Sequence, residues 1–226
     1  MLEELYYKTI NCPVCKNEFK TLKVKRSRAR VDKIDTDFMK YYKGENPIKY
    51  NVNVCPNCGY SAMDKRFKSM NFNDINIIKE KVFARWKGKN YCNERTLGAA
   101  IEGYKLALYC GELLNYKKYE IGGITLRIAW LYRLKHEEKN ENRFLKYTLD
   151  LYEDAYSNED LSYGGMDELT VGYLIGEILR RLGEKNESIK WFGNIVSDRR
   201  IRNNPRLEKM AREQWQITKG ELKGAI

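Results

Sequence analysis

Two CxxC pairs constrain this chain more than any other feature: Cys12-Pro13-Val14-Cys15 and Cys55-Pro56-Asn57-Cys58. Two residues between cysteines let both sulfurs of a tight turn face one point, and two such turns supply four thiolates at the corners of a tetrahedron. Strand-like runs precede them, Leu5 to Ile10 and Tyr50 to Val54, and Gly59 and Asn17 follow them as the residues expected to relax each turn. The arrangement predicts a zinc-ribbon-like head around one structural Zn2+, with Cys12, Cys15, Cys55 and Cys58 as ligands. A thioredoxin-like redox site would use one CxxC at a helix start, whereas here two stand beside strands. A closed four-thiolate site leaves no coordination position for water or substrate, so the metal is expected to hold the fold rather than to catalyse.

The pairs are separated by 39 residues, against about 15 to 20 in the common pattern, so the loop is an insertion with content of its own. It is basic: Lys20, Lys23, Lys25, Arg26, Arg28, Arg30 and Lys33 face only Asp32. Their alternation around Leu22, Val24 and Ala29 predicts a strand or ribbon. Lys23, Lys25, Arg26, Arg28 and Arg30 are the candidate contacts for phosphate or for an acidic partner; a solvated strand guarding an exposed sheet edge is the plainer alternative. Charge follows the same division. Residues 1–92 carry 20 Lys+Arg against 10 Asp+Glu, whereas residues 93–226 carry 22 against 21. Tyr41, Tyr42 and Tyr60 are read either as stacking surfaces for bases or as additions to a small core.

Beyond Asn73 the hydrophobic period becomes helical. Asp74 is the expected cap of a connecting helix carrying Ile75, Ile78, Val82, Phe83 and Trp86, and Gly88 marks a break. From Glu94 onward a small residue, a three-residue gap and an aromatic recur at Ala100/Tyr104, Thr148/Tyr152 and Ser188/Phe192, with Ala107, Ala155 and Ile195 three positions further on. This is the packing grammar of antiparallel helix pairs, in which small residues admit a neighbour and a large one fills its groove. It is similar to the tetratricopeptide (TPR) repeat, irregularly spaced. The best unit runs from about Leu169 to Arg202, and Pro205 opens a final capping helix. Helices are expected to start near residues 74, 94, 121, 140, 167, 185 and 205, with Gly122-Gly123 and Gly164-Gly165 as breaks and Glu137–Asn142 and Ser157–Gly165 as loops. The fold class is α+β, predominantly α: residues 1–72 form the small β head, 73–92 the connecting helix, and 93–226 the TPR-like helical array.

Signs of catalysis are few. His136 sits at an expected helix end, Cys92 and Cys110 read as packing residues, and no Gly-rich phosphate loop occurs. No apolar run reaches the roughly 18 residues that span a bilayer, and the acidic start Met1-Leu2-Glu3-Glu4 is unlike a signal peptide. A cytoplasmic protein with no membrane partner is expected.

The CPxC head, the basic insert, the second knuckle Cys55-Pro56-Asn57-Cys58-Gly59-Tyr60 and the stretch Leu126-Arg127-Ile128-Ala129-Trp130-Leu131-Tyr132-Arg133 together resemble the bacterial domain-of-unknown-function family 2225. The resemblance covers nearly the whole chain and implies a zinc-ribbon-like head joined to a TPR-like tail, without an activity. The expected function is a non-catalytic zinc-binding adaptor whose tail holds a protein or peptide. Arg180, Arg181, Arg199, Arg200, Arg202 and Arg206 are candidates for a second basic patch toward an acidic peptide, with scattered solvated arginines as the plainer alternative. The second functional reading is a nucleic-acid-binding protein that uses the basic head.

Overall fold

The computed structural model describes residues 3–68, 70–162 and 166–223. It is α+β and predominantly α, with seven α-helices and three two-stranded antiparallel sheets among the described residues. The chain forms two compact units that do not follow chain order: one comprises Met1–Ile34, Lys40–Tyr116 and Ile124–Glu141, the other Asp35–Met39, Lys117–Gly123 and Asn142–Ile226.

In the first unit, β1 (Leu5–Asn11) pairs with β2 (Glu18–Val24), β3 (Val31–Ile34) with β4 (Lys40–Tyr42), and β5 (Val52–Val54) with β6 (Ser61–Met63). The basic run is not one continuous strand. It leaves β2 through an exposed 3-10 turn, Arg26–Arg28, before entering β3. Pro47–Tyr50 is likewise a 3-10 turn, so the second knuckle's strand begins at Val52 rather than Tyr50.

Helix α1 (Phe72–Lys81) starts earlier than its expected cap. The Asn71 side chain accepts from the backbone N–H of Asp74 at 2.8 Å, leaving the Asp74 carboxylate in the first turn to meet the helix dipole. Ile75 and Ile78 of α1 join Cys12, Cys55 and Cys58 in one apolar core, to which α2 (Leu97–Leu113) adds Cys110 and Leu113. A knuckle pair is too small to bury a core of its own, so the helices that follow it complete one. α2 lies on β5 and β6. Buried Arg95, just before it, donates from Nε to Tyr91 O (2.7 Å) and from Nη1 to Val52 O (2.8 Å), and Tyr104 donates to Ile48 O (3.0 Å).

The second unit contains the first turns of α3 (Lys118–Leu134), then α4 (Glu138–Asn158), α5 (Glu168–Arg181), α6 (Lys185–Ser197) and α7 (Pro205–Lys223). α5 packs on α6 and α6 on α7. Gly176 lets α6 approach, since a Cβ there would stand 3.0 Å from the Phe192 ring, and the Ser188 hydroxyl donates to Gly176 O at 2.8 Å. Gly122-Gly123 is not a break: both lie inside α3, where a Cβ on Gly122 would run into the Tyr152 ring. Helical glycine here serves close packing, which outweighs its propensity cost of about 1 kcal/mol. Helix α4 begins within the segment expected to be a loop at 137–142, and the expected break at Gly164-Gly165 lies outside the described residues. Among the described residues no helix is long and apolar enough to cross a membrane.

Candidate metal centre

The four knuckle cysteines converge. Their sulfurs all lie within 4.8 Å of one another, with Cys12 Sγ 3.6 Å from Cys58 Sγ and Cys15 Sγ 3.6 Å from Cys55 Sγ. These spacings are far beyond the roughly 2.05 Å of a disulfide. The group can hold a metal ion.

Both turns are built alike. In the first, Cys12 N–H donates to Asn17 O (3.0 Å) and Lys16 N–H to Cys12 O (3.0 Å); in the second, Cys55 N–H donates to Tyr60 O and Gly59 N–H to Cys55 O, both at 2.9 Å. The equivalent positions are therefore Lys16 and Gly59, directly after each second cysteine. Both are left-handed, φ +61° and +75°, which moves the expected turn residue from Asn17 to Lys16. Lysine sets against this conformation only one exposed bond, its ammonium donating to Pro13 O at 3.0 Å, whereas glycine adopts it freely.

A substitution pair follows. A Cβ on Gly59 would lie 2.5 Å from the Trp86 indole, which is fixed by its Nε1–H donating to Pro56 O at 2.9 Å. Gly59→Ala is expected to cost about 2–3 kcal/mol, joining positive-φ strain to overpacking. Lys16→Gly should stabilise by about 0.5–1 kcal/mol. Urea unfolding of the two variants checks the opposite signs.

Mutual hydrogen bonding of the sulfurs, with burial behind it, gives the cluster its electrostatics. Cys12, Cys55 and Cys58 are at most 1 % exposed and Cys15 is half-buried. Hydrogen bonds from the Cys12 and Cys58 thiols hold Cys55 well below the ordinary thiol range, while Cys12 is pushed up chiefly by its bond to Cys55, and Cys58 chiefly by its bond to Cys12 and then by that to Cys55. One thiolate forms readily and its neighbours resist joining it. A cation at the centre would supply the charge that lets them all ionise. Cys92 and Cys110 are buried, and burial raises both thiols, Cys110 to about 12, which suits packing better than nucleophilic attack. Tyr60 is also interior, stacked on Phe67 at 4.9 Å.

The five basic candidates separate. Lys25, Arg26, Arg28 and Arg30 are exposed, but Lys23 points inward, donating to Tyr50 O (2.5 Å) and pairing with Asp64 (2.6 Å). Burial lowers its ammonium pKa and the Asp64 carboxylate opposes that shift. Lys23 is thus removed from any external phosphate contact.

The second unit holds a cluster of charges that lie far apart along the sequence. Asp35–Met39, the tip of the β3–β4 hairpin, lies in that unit with α5. Arg181 Nη2 donates to Asp35 (2.9 Å) and Nε to Glu177 (2.7 Å), and Asp37 is 3.7 Å from Nε. Arg180 forks onto Glu177 at 2.8 and 2.9 Å, and Tyr173 donates to Thr36 O at 2.7 Å. Phe38, at φ +68°, rests 5.3 Å from the Tyr173 ring, which in turn lies 5.7 Å from Phe192. Asp37 and Glu177 are 0 % exposed. Arg180 and Arg181 are therefore committed within this cluster, and Arg200 pairs with Asp198 and Glu168, whereas Arg199, Arg202 and Arg206 of the same candidate patch are exposed. The acidic pair Asp35-x-Asp37 inside a basic run was the available sequence signal, but nothing local linked it to residues some 140 positions away.

Comparison with known proteins gives a family described as "Uncharacterized protein conserved in bacteria (DUF2225)", matched by residues 5–218. A relative from Borreliella burgdorferi, named an uncharacterized protein, is 30% identical over 152 residues, covering 59% of this chain and 54% of the relative. The chain thus spans about half the length of the curated relative it matches. No solved structure matches.

Proposed function

The chain belongs to the bacterial DUF2225 family, and we propose that it is a non-catalytic adaptor, with a zinc-stabilised head and a TPR-like helical array that holds a short peptide. Zinc is favoured by the donor set. A Zn–S bond of about 2.3 Å gives a tetrahedron with edges of about 3.8 Å, close to the 3.6 Å separations of both sulfur pairs. Four soft thiolates suit this ion, and with every position filled by sulfur there is no place for a reacting water. Zn2+ bound there contributes folding free energy rather than chemistry.

The observation that carries the adaptor reading is the seating of Asp35–Met39 against α5. A tight turn, closed by Phe38 N–H donating to Asp35 O at 3.0 Å, is held there by carboxylate–arginine pairing, by a hydroxyl on its backbone carbonyl, and by an aromatic contact continuous with the α5–α6 core. Those are the elements by which a helical array recognises a peptide. A left-handed phenylalanine is costly, and it persists only where its surroundings dictate it. The partner expected on this face is an acidic, aromatic-bearing segment of another protein, with the chain's own tip as the competitor. A cytoplasmic location accords with keeping the thiolates reduced.

Capture from nuclease-treated lysate tests the reading. The metal-loaded full chain carrying Asp35→Asn, Asp37→Asn and Phe38→Ala should retain a defined protein more strongly than the wild-type chain, and a free peptide spanning residues 33–41 should elute it. Equal retention by both chains, or elution by salt but not by the peptide, would sink the proposal.

A further inference from the structure

Between residues 25 and 43 the structure sorts charge in a way the sequence does not reveal. Seven cations are exposed there against one exposed carboxylate, Asp32. Two further acids of this stretch, Asp35 and Asp37, sit beside Arg181 in the second unit, and the adjacent Lys23 turns inward onto Asp64. What remains outside in the first unit is the arginine turn, Arg26 and Arg28 with Arg30 after it, leading into the β3–β4 ribbon.

That ribbon is open along β3, while Tyr41 and Tyr42 of β4 are half-buried. All four residues of β3 are exposed, including Val31 (42 %) and Ile34 (40 %). Its register pairs Val31 with Tyr42, Lys33 with Tyr41 and Ile34 with Lys40, across a bulge. Opposed residues share a face and successive ones alternate, so one face carries Tyr42 with Lys40 and the other Tyr41 with Lys33. On the second, Lys33 Nζ lies 4.9 Å from the Tyr41 ring centroid.

We propose that the turn Arg26–Arg30 and the β3–β4 ribbon form a binding surface for single-stranded nucleic acid, the guanidinium groups taking backbone phosphates and the ribbon tyrosines offering stacking platforms. Guanidinium forks match phosphate oxygens in pairs, and rings beside cations are what sequence-tolerant single-strand binding uses. A membrane fits less well, because lysines on both faces of the ribbon leave no uncharged face to insert. An acidic protein would use the charge but leave the rings idle. This surface is independent of the peptide contact proposed for the helical array, and either can fail without the other.

The test is fluorescence anisotropy of the metal-loaded full chain with a labelled 20-nucleotide RNA of mixed sequence, titrated from 50 to 200 mM salt. Wild-type binding should weaken linearly on logarithmic axes. The triple variant Arg26→Gln, Arg28→Gln, Arg30→Gln should lower the slope by about 2, at about 0.7 per phosphate contact in single strands, and should bind at least tenfold more weakly at 100 mM. All three side chains are exposed, so the variant should keep the wild-type circular dichroism. The control Lys190→Gln, Lys209→Gln, Arg212→Gln, which removes exposed cations of α6 and α7, should bind like wild type. Equal losses in the two variants, no RNA binding at 50 mM salt, or equally tight binding to polyglutamate or phosphatidylglycerol vesicles would each overturn the assignment.

Discussion

Cys58→Ser is expected to abolish stoichiometric metal binding and to unfold the knuckle-bearing core. A structural Zn2+ supplies roughly 10–16 kcal/mol of apparent binding free energy, about the whole stability of a typical domain at 5–15 kcal/mol. Cys58 is 0 % exposed and shares its core with Tyr60, Phe67, Ile78 and Cys110. A serine hydroxyl there ligates the ion poorly and leaves three sulfurs crowded without the charge that reconciles them. Metal analysis of the purified protein should fall from about one equivalent to near none. Amide exchange across β5 and β6 should change from protected to unprotected, and a chelator should reproduce both effects in the wild-type chain. Native protection in a metal-free variant would show that apolar packing alone sustains the head, and zinc would then have no structural part in it.

Arg181→Ala should produce the largest loss in the second unit, about 3 kcal/mol in urea unfolding. The guanidinium pairs with Glu177 and Asp35 and lies near Asp37, two of which are wholly buried carboxylates. Breaking a buried pair from one side typically costs 3–5 kcal/mol, because the remaining charge stays desolvated. Arg180 still forks onto Glu177, which places the estimate at the lower end. Arg181→Lys should recover part of the loss, since it restores the charge but not the planar fork. A double-mutant cycle with Asp35→Asn should show coupling of about 1 kcal/mol. A change below about 0.5 kcal/mol on Arg181→Ala would mean that Asp35–Met39 is not held by this pairing, and would remove the main support for the peptide-holding reading.

What could be read in advance was local. The CxxC spacing located the cysteines that converge, because two tight turns beside strands determine where their sulfurs point. Helical periodicity located α1 to α7 within a few residues, and Pro205 is the first residue of α7. The triads Thr148/Tyr152/Ala155 and Ser188/Phe192/Ile195 are all buried, as a repeating hydrophobic face must be. The misplacements were equally physical. Lys16 adopts the left-handed turn position because turn geometry, rather than residue preference, determines which backbone position must reverse. Gly122 lies within a helix because close approach to Tyr152 outweighs glycine's low helix propensity.

Sequence by itself determined which four cysteines converge, the helical majority and the excess of positive charge in the first 92 residues, since each depends on spacing or composition within a short window. Only the tertiary structure decided how that charge is spent: Lys23 inward on Asp64, Asp35 and Asp37 drawn to Arg181, and the arginine turn left facing solvent. The reason is distance along the chain. Pairing partners 41 and 146 residues apart leave no periodic trace, and a carboxylate in a basic run has the same local appearance whether it screens its neighbours or serves a helix far downstream.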